Sequence, residues 1–265
     1  STQCGRTEGS YELMPEAFCS IGCGGMNPKG EADMKKGKFT TILWDLDQTI
    51  LDFARSQDYA LRFAFRQFGM NIKEETVAVY ASINDEYWKR MERGEITKEE
   101  VLLGRFADLF GRTGITEVRP AEFNEIYQDA LGDVFFFQDE ADQIILRLKE
   151  QGYGQYIVTN GVNRTQAKKV RLSGLDRMVD GVFVSELMGY PKPRKEYFDA
   201  CFQRLEGIAR EECLLVGDSL TSDIQGGVNA GIAVCWYNPK GQVNASGLKI
   251  NYEIRDLHEL LLILE

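Results

Sequence analysis

Five short apolar runs, separated by stretches of helical pattern, constrain the fold of this chain more than any other feature. Thr41-Ile42-Leu43-Trp44 stops at Asp45, Tyr156-Ile157-Val158 at Thr159, and Leu214-Leu215-Val216 at Gly217-Asp218. Val182-Phe183-Val184 and Ile232-Ala233-Val234-Cys235-Trp236 are the other two. Runs this short, bounded by Gly, Asn and Asp, read as parallel strands buried on both faces. Amphipathic helical pattern over 139–151, 164–173, 195–205 and 222–230 alternates with them. Strand and helix in regular alternation predict an α/β fold with a doubly wound, Rossmann-like parallel sheet.

One section breaks that rhythm. Between about residues 53 and 131 there is helical spacing and no strand pattern: Ala60, Phe63, Ala64 and Phe68; then Val77, Tyr80, Ala81, Tyr87 and Trp88; then Val101, Leu102, Phe106 and Phe110. Thr97 followed by Glu100 fits a capping box at the start of the third helix. The expected organisation is a core of 38–53 and 135–265, an inserted all-helical cap of 54–134, and a Gly-rich polar extension over 1–37. No internal repeat or low-complexity tract is present.

Composition narrows the function. The net charge is −10, which argues against a nucleic-acid backbone as partner, since such binding needs clustered positive charge. No run approaches the roughly 20 apolar residues that span a bilayer, and the first residues lack the pattern of a secretory signal. Six cysteines are scattered; only Cys19 and Cys23 are close, with no second pair or histidine to complete a zinc site, so free thiols in a reducing cytoplasm are expected. The single histidine, His258, lies in a terminal helical pattern, so a mechanism centred on histidine is not expected.

The chemistry is carried at the strand ends. Asp45-Leu46-Asp47 places two carboxylates where the first strand runs out, and open α/β sheets bind ligands at the carboxyl ends of their strands. The second strand ends in Thr159-Asn160-Gly161, which offers a hydroxyl and free amides. Tyr190-Pro191-Lys192-Pro193 forms a rigid turn holding one lysine. The fourth strand ends in Gly217-Asp218, with Asp223 five residues on. Four converging carboxylates repel one another unless Lys192 and a cation neutralise them, and oxygen-only ligands suit Mg²⁺.

These four motifs, in this order, resemble those of the haloacid dehalogenase superfamily, and the resemblance spans residues 38–265. It implies a Mg²⁺-dependent phosphatase working through an aspartyl-phosphate. Asp45 resembles the nucleophile, and Asp47 the general acid and base, whose backbone carbonyl also binds metal. Thr159 resembles the phosphate-orienting group and Lys192 the lysine bound to nucleophile and phosphate. Asp45, Asp47, Asp218 and Asp223 form the implied metal set, with Asp223 bound directly or through water. Leu46 and Asn160 are implied contacts to the phosphate. Dehalogenases of the superfamily lack the second aspartate, so Asp47 points to phosphoryl transfer. Two departures stand out: Gln48 replaces a frequent Gly, and Arg194-Lys195 replace more usual acidic or polar residues, adding positive charge near the mouth.

Trp88, Gly94-Glu95-Ile96-Thr97, Gly104-Arg105-Phe106 and Cys235-Trp236-Tyr237-Asn238-Pro239 are similar to segments of the pyrimidine 5′-nucleotidases of this branch. That similarity implies a nucleoside monophosphate as substrate and a monomer or homodimer. Trp88 would stack on the base, and Arg105 would reach a phosphate or a base carbonyl. A sugar-phosphate phosphatase or phosphomutase on the same scaffold is the alternative reading, and a non-catalytic Mg²⁺-binding domain a more remote one.

Overall fold

A computed structural model describes residues 38–264; the expected extension over 1–37, with Cys4, Cys19 and Cys23, lies outside them. Six parallel strands form one sheet: β1 (Thr41–Trp44), β2 (Gly154–Thr159), β3 (Gly181–Val184), β4 (Cys213–Gly217), β5 (Ala233–Tyr237) and β6 (Tyr252–Ile254). Their order is β3-β2-β1-β4-β5-β6. All five predicted strands are present, and β6 is an addition at the edge. The order reverses at β1, which pairs with β2 on one side and β4 on the other. That reversal opens a crevice beyond the carboxyl ends of β1 and β4.

Both faces of the sheet are covered, which explains the unbroken apolar runs. Side chains alternate across β1: Ile42 and Trp44 join one core cluster, and Leu43 the other. The first cluster is completed from α5 (Ala141–Glu150), α6 (Asn163–Ser173), α7 (Leu175–Met178) and α11 (Glu259–Leu264). The second takes Met188 of α8 (Ser185–Met188), Tyr197 and Phe198 of α9 (Lys195–Phe202) and Ala230 of α10 (Gln225–Ala230). Buried Cys201, Cys213 and Cys235 are free thiols.

Between β1 and β2 the chain forms four helices before α5: α1 (Phe53–Gln67), α2 (Glu74–Glu92), α3 (Lys98–Thr113) and α4 (Pro120–Gly132). The sequence pattern showed three; α4 opens at Pro120, which occupies the first turn where no amide donor is missed. These helices share their own core, in which Phe65, Tyr80, Phe106, Phe110, Phe123 and Tyr127 form a chain of ring contacts with centroids 4.8–6.4 Å apart. Burying each such ring is worth roughly 1.5–3 kcal/mol, so this cluster is a main part of what holds the four helices together. The capping box is formed: Thr97 Oγ1 accepts from the Glu100 amide, and the Glu100 carboxylate accepts from the Thr97 amide at 2.7 Å. No helix among the described residues is long and apolar enough to cross a membrane.

Candidate active site

The β1–β4 crevice and the helical insertion enclose a cavity of about 680 Å³, within the range of small-molecule sites. Asp45, Asp47, Thr159, Asn160, Lys192, Asp218 and Asp223 line it from the sheet side; Gln57, Asn84, Trp88, Glu92, Arg105 and Gln128 line it from the insertion.

Each sheet-side residue is held by the element before it. The Asp45 amide donates to Val216 O at 2.9 Å, one last rung between β1 and β4, and the chain then turns. Gln48 sits in that turn at φ +70°, a left-handed conformation that suits glycine. Its side chain compensates locally, accepting from the Ala54 amide at 3.2 Å. Gly161 and Gly217 have no such freedom: a Cβ on Gly161 would run into the Gln166 amide, and one on Gly217 into the Asp223 carboxylate. Asn160 ties two loops together, accepting from the Lys192 amide at 2.8 Å and donating to the Lys192 carbonyl at 2.9 Å.

Lys192 is the hub. Its buried ammonium donates to Asp45 Oδ1 at 2.8 Å, Asp223 Oδ1 at 2.7 Å and Val158 O at 2.8 Å, which uses all three of its hydrogens. Burial opposes its charge, but the Asp223 and Asp45 carboxylates outweigh that and hold its pKa above the usual lysine value. Oxygens of Asp45, Asp218 and Asp223 lie within 4.8 Å of one another. Burial, reinforced by Asp223 against the pull of Lys192, raises the Asp45 carboxyl to about 7. Burial and then the Asp45 and Asp223 charges push Asp218 well above the carboxylate range. Among the described residues the Asp218 carboxylate accepts only a long 3.4 Å contact, from Thr49 Oγ1, while its backbone carbonyl accepts from Trp236 Nε1 at 2.9 Å. Ionised together, these three carboxylates would outnumber the single ammonium, and hard oxygen donors so arranged fit a divalent cation such as Mg²⁺.

The Asp47 side chain stands apart from that group. Its Oδ1 accepts from Lys169 Nζ at 2.7 Å and its Oδ2 from Gln166 Nε2 at 2.7 Å. Its expected metal contact is through the backbone carbonyl, so the side-chain arrangement leaves that assignment open to the main chain alone. Gln166 also donates to Thr159 Oγ1 at 2.8 Å, linking Asp47 to the end of β2.

Three expectations change. The Leu46 side chain is fully buried in the core and does not line the cavity, so a contact with substrate can come only from its backbone. Arg194 pairs with Glu196 at 2.8 Å and Lys195 with Asp199 at 2.9 Å, and neither lines the cavity; their charge is spent on the outer surface rather than at the mouth. Arg105, expected to reach a phosphate or a base carbonyl, is 1% exposed and engaged within the insertion, its guanidinium donating to Asn84 Oδ1 at 2.7 Å and Asn124 Oδ1 at 3.1 Å. Trp88 is half-buried on the cavity wall and outside the insertion's apolar core. His258 pairs with Asp256 on the surface, away from the cavity.

Lys169, Gln166 and Glu92 are site residues that the motifs did not reveal. A signal existed for two of them: Thr165, Gln166 and Lys169 are polar residues on the core-facing stripe of α6, beside Val170. Glu92 carries no such signal. It ends α2 and accepts from Thr221 Oγ1 and, at 3.5 Å, from Ser219 Oγ, bridging the insertion to the loop after β4. On the other side Lys98 donates to Gly161 O and pairs with Glu186, both at 2.7 Å.

Comparison with known proteins agrees with this geometry. The profile of the haloacid dehalogenase-like hydrolases matches residues 39–231. The HAD-hydrolase YfnB of Bacillus subtilis is 40% identical over 227 residues, covering 86% of this chain and 96% of that one. The pyrimidine 5′-nucleotidase PynA of Streptococcus pneumoniae is 34% identical over 83% of this chain and 92% of its own length. YjjG of Escherichia coli, also a pyrimidine 5′-nucleotidase, is 29% identical over 84% and 96%. A crystal structure of YfnB bound to magnesium superimposes with a TM-score of 0.81, covering 86% of this chain and all of that one.

Proposed function

Since this chain belongs to the haloacid dehalogenase-like hydrolases, we propose that it is a Mg²⁺-dependent phosphatase that hydrolyses a nucleoside 5′-monophosphate through an aspartyl-phosphate on Asp45. One observation carries the reading. Two carboxylates a residue apart face the same cavity in different surroundings: Asp45 against the Lys192 ammonium, Asp47 against Lys169 and Gln166. Phosphate-ester hydrolysis needs such a pair, one to attack and one to carry a proton.

The Asp45 carboxylate attacks phosphorus while Asp47 protonates the departing ester oxygen. Asp47 then takes a proton from the water that opens the phospho-Asp45 bond, which frees inorganic phosphate and restores the enzyme. Lys192, beside the attacking oxygen, offsets charge that builds on the transferring group. Thr159 Oγ1 and the Asn160 amide orient the phosphate, with Gln166 fixing the threonine hydroxyl. Lys169 and Gln166 hold both oxygens of Asp47 and set its direction. When bound by Asp45, Asp218, Asp223 and the Asp47 carbonyl, Mg²⁺ supplies positive charge to the phosphate and lets several carboxylates ionise together. Residues 54–134 act as the cap, which excludes water from a small ester, and the names of PynA and YjjG support a pyrimidine nucleotide as that ester.

The test is phosphate release from a panel of nucleoside monophosphates and sugar phosphates. Activity should vanish with a chelator and return with Mg²⁺, and Asp45→Asn should lower kcat at least ~10³-fold. Survival of activity in Asp45→Asn would sink the covalent mechanism, and a strong preference for a sugar phosphate would sink the nucleotide assignment.

A further inference from the structure

The cap end of the cavity contains a buried guanidinium with no carboxylate partner. Arg105 is 1% exposed, yet it is held only by the side-chain oxygens of Asn84 and Asn124 and by the rings of Phe106 and Tyr127, at 4.9 and 5.1 Å from its carbon centre. Its Nε–H has no partner among the described residues. A charge so placed is costly to bury, and ring faces and neutral amides offset it only in part.

Arginine is a donor and never an acceptor, so it dictates the orientation of every amide it touches. Asn84 must turn Oδ1 to Arg105, which sends its –NH₂ the other way. There Asn84 Nδ2 donates to Gln57 Oε1 at 3.0 Å. Gln57 must therefore turn its oxygen to Asn84, and its own –NH₂ is left over. Gln57 is 5% exposed, lines the cavity, and gives that –NH₂ to no described residue. Gln128, also on the wall and 3% exposed, accepts from Thr165 Oγ1 at 2.7 Å with its side-chain oxygen, so its –NH₂ is left over as well. The charge on Arg105 is thus relayed through two amides to the part of the wall formed by Gln57 and Gln128, where side-chain –NH₂ donors are left over and the amide oxygens are spent internally.

We infer that Arg105, acting through Asn84 on Gln57, makes this wall select a leaving group with neutral acceptor oxygens, a uracil or thymine base, over one with an amino group in that place. The group left over toward the cavity is the uncharged Gln57 amide, which suits a neutral carbonyl, while Arg105 is 1% exposed and gives a hydrogen from each terminal nitrogen to Asn84 and Asn124. Trp88 lines the same cavity, and an indole stacks on planar rings. Gln57 is the contact residue and Arg105 the positioning residue. The inference rests on the phosphatase reading and deepens it by naming the base.

The test compares kcat/KM for UMP, CMP and 3-phosphoglycerate, with p-nitrophenyl phosphate turnover by the unaltered enzyme as the measure of phosphatase activity itself. UMP should exceed CMP by ~10–100-fold, the range of one mispaired buried polar group. Gln57→Glu replaces the donor by an acceptor and should bring the UMP/CMP ratio below one. Arg105→Met frees Asn84 to reverse and should bring the ratio close to one, while Arg105→Lys, still a donor only, should keep UMP ahead. A ratio is insensitive to the fraction of enzyme that folds, so a purely structural role for either residue would not move it. Turnover of p-nitrophenyl phosphate with UMP and CMP used equally, or with 3-phosphoglycerate preferred, overturns the relay and leaves the phosphatase standing. A UMP/CMP ratio unchanged by Gln57→Glu overturns it as well. Absence of turnover with every ester overturns both.

Discussion

At the sheet edge, Asp45, Asp218 and Asp223 crowd within 4.8 Å around one ammonium, whereas the cap end of the same cavity holds the Arg105 guanidinium among amides, with no carboxylate on it. The first region is short of positive charge and the second of negative charge. Each is a poor arrangement for stability alone, because buried charge without full compensation is costly. Each is a good arrangement for a ligand that supplies the missing partner: a cation and a phosphate at one end, acceptor oxygens at the other. Under the proposed function, the contrast separates the group that reacts from the group that is recognised.

The largest effect should come from unbalancing the acidic end. Lys192→Met removes the ammonium shared by Asp45 and Asp223, and breaking a buried pair from one side costs about 3–5 kcal/mol. Chemical denaturation should show that loss, together with near-complete loss of turnover, and saturating Mg²⁺ should recover part of the stability. A drop under ~1 kcal/mol would mean that the carboxylates are not held against one another as described.

A smaller effect is expected at the recognising end. Trp88→Ala should raise KM for a nucleotide by roughly 10-fold, the scale of one lost base–aromatic stack, with kcat little changed. The reverse pattern, a fall in kcat at constant KM, would place Trp88 with the cap's packing instead.

The smallest test addresses the seam between the two ends. Burial raises the Glu92 carboxyl from its ordinary 4.5 to about 7, against the hydrogen bond from Thr221. The folded protein therefore binds more protons than the unfolded chain between about pH 4.5 and 7, and stability must fall as pH rises through that window. Glu92→Gln should flatten that slope by on the order of 1 kcal/mol, read as the change in Tm between the two ends of the window. An identical slope in both proteins would remove Glu92 from the linkage.

The alternating strands, the insertion and the convergence of Asp45, Thr159, Lys192 and Asp218 were legible because strand ends in a parallel sheet share one edge. Each motif needed only its own short run to be placed there. The edge strand β6 escaped because three residues, Tyr252–Ile254, carry too little pattern to stand out from a loop. Lys169 and Gln166 escaped because a polar residue on a helix reads as solvated until the strand beneath it is known. Gln48 read as a mild departure, and only the backbone revealed that it occupies a left-handed turn.

What the amino-acid sequence determined by itself is the sheet half of this protein: an α/β sheet with its carboxylates and one lysine at a common edge, set by local periodicity and by motifs a few residues long. What the tertiary structure decided is the other half. Gln57, Asn84, Arg105 and Asn124 come from four different helices, and nothing in any one helix predicts that their side chains meet. Their orientation follows from a donor-only guanidinium buried where those helices cross, a property of packing that no single stretch of sequence contains.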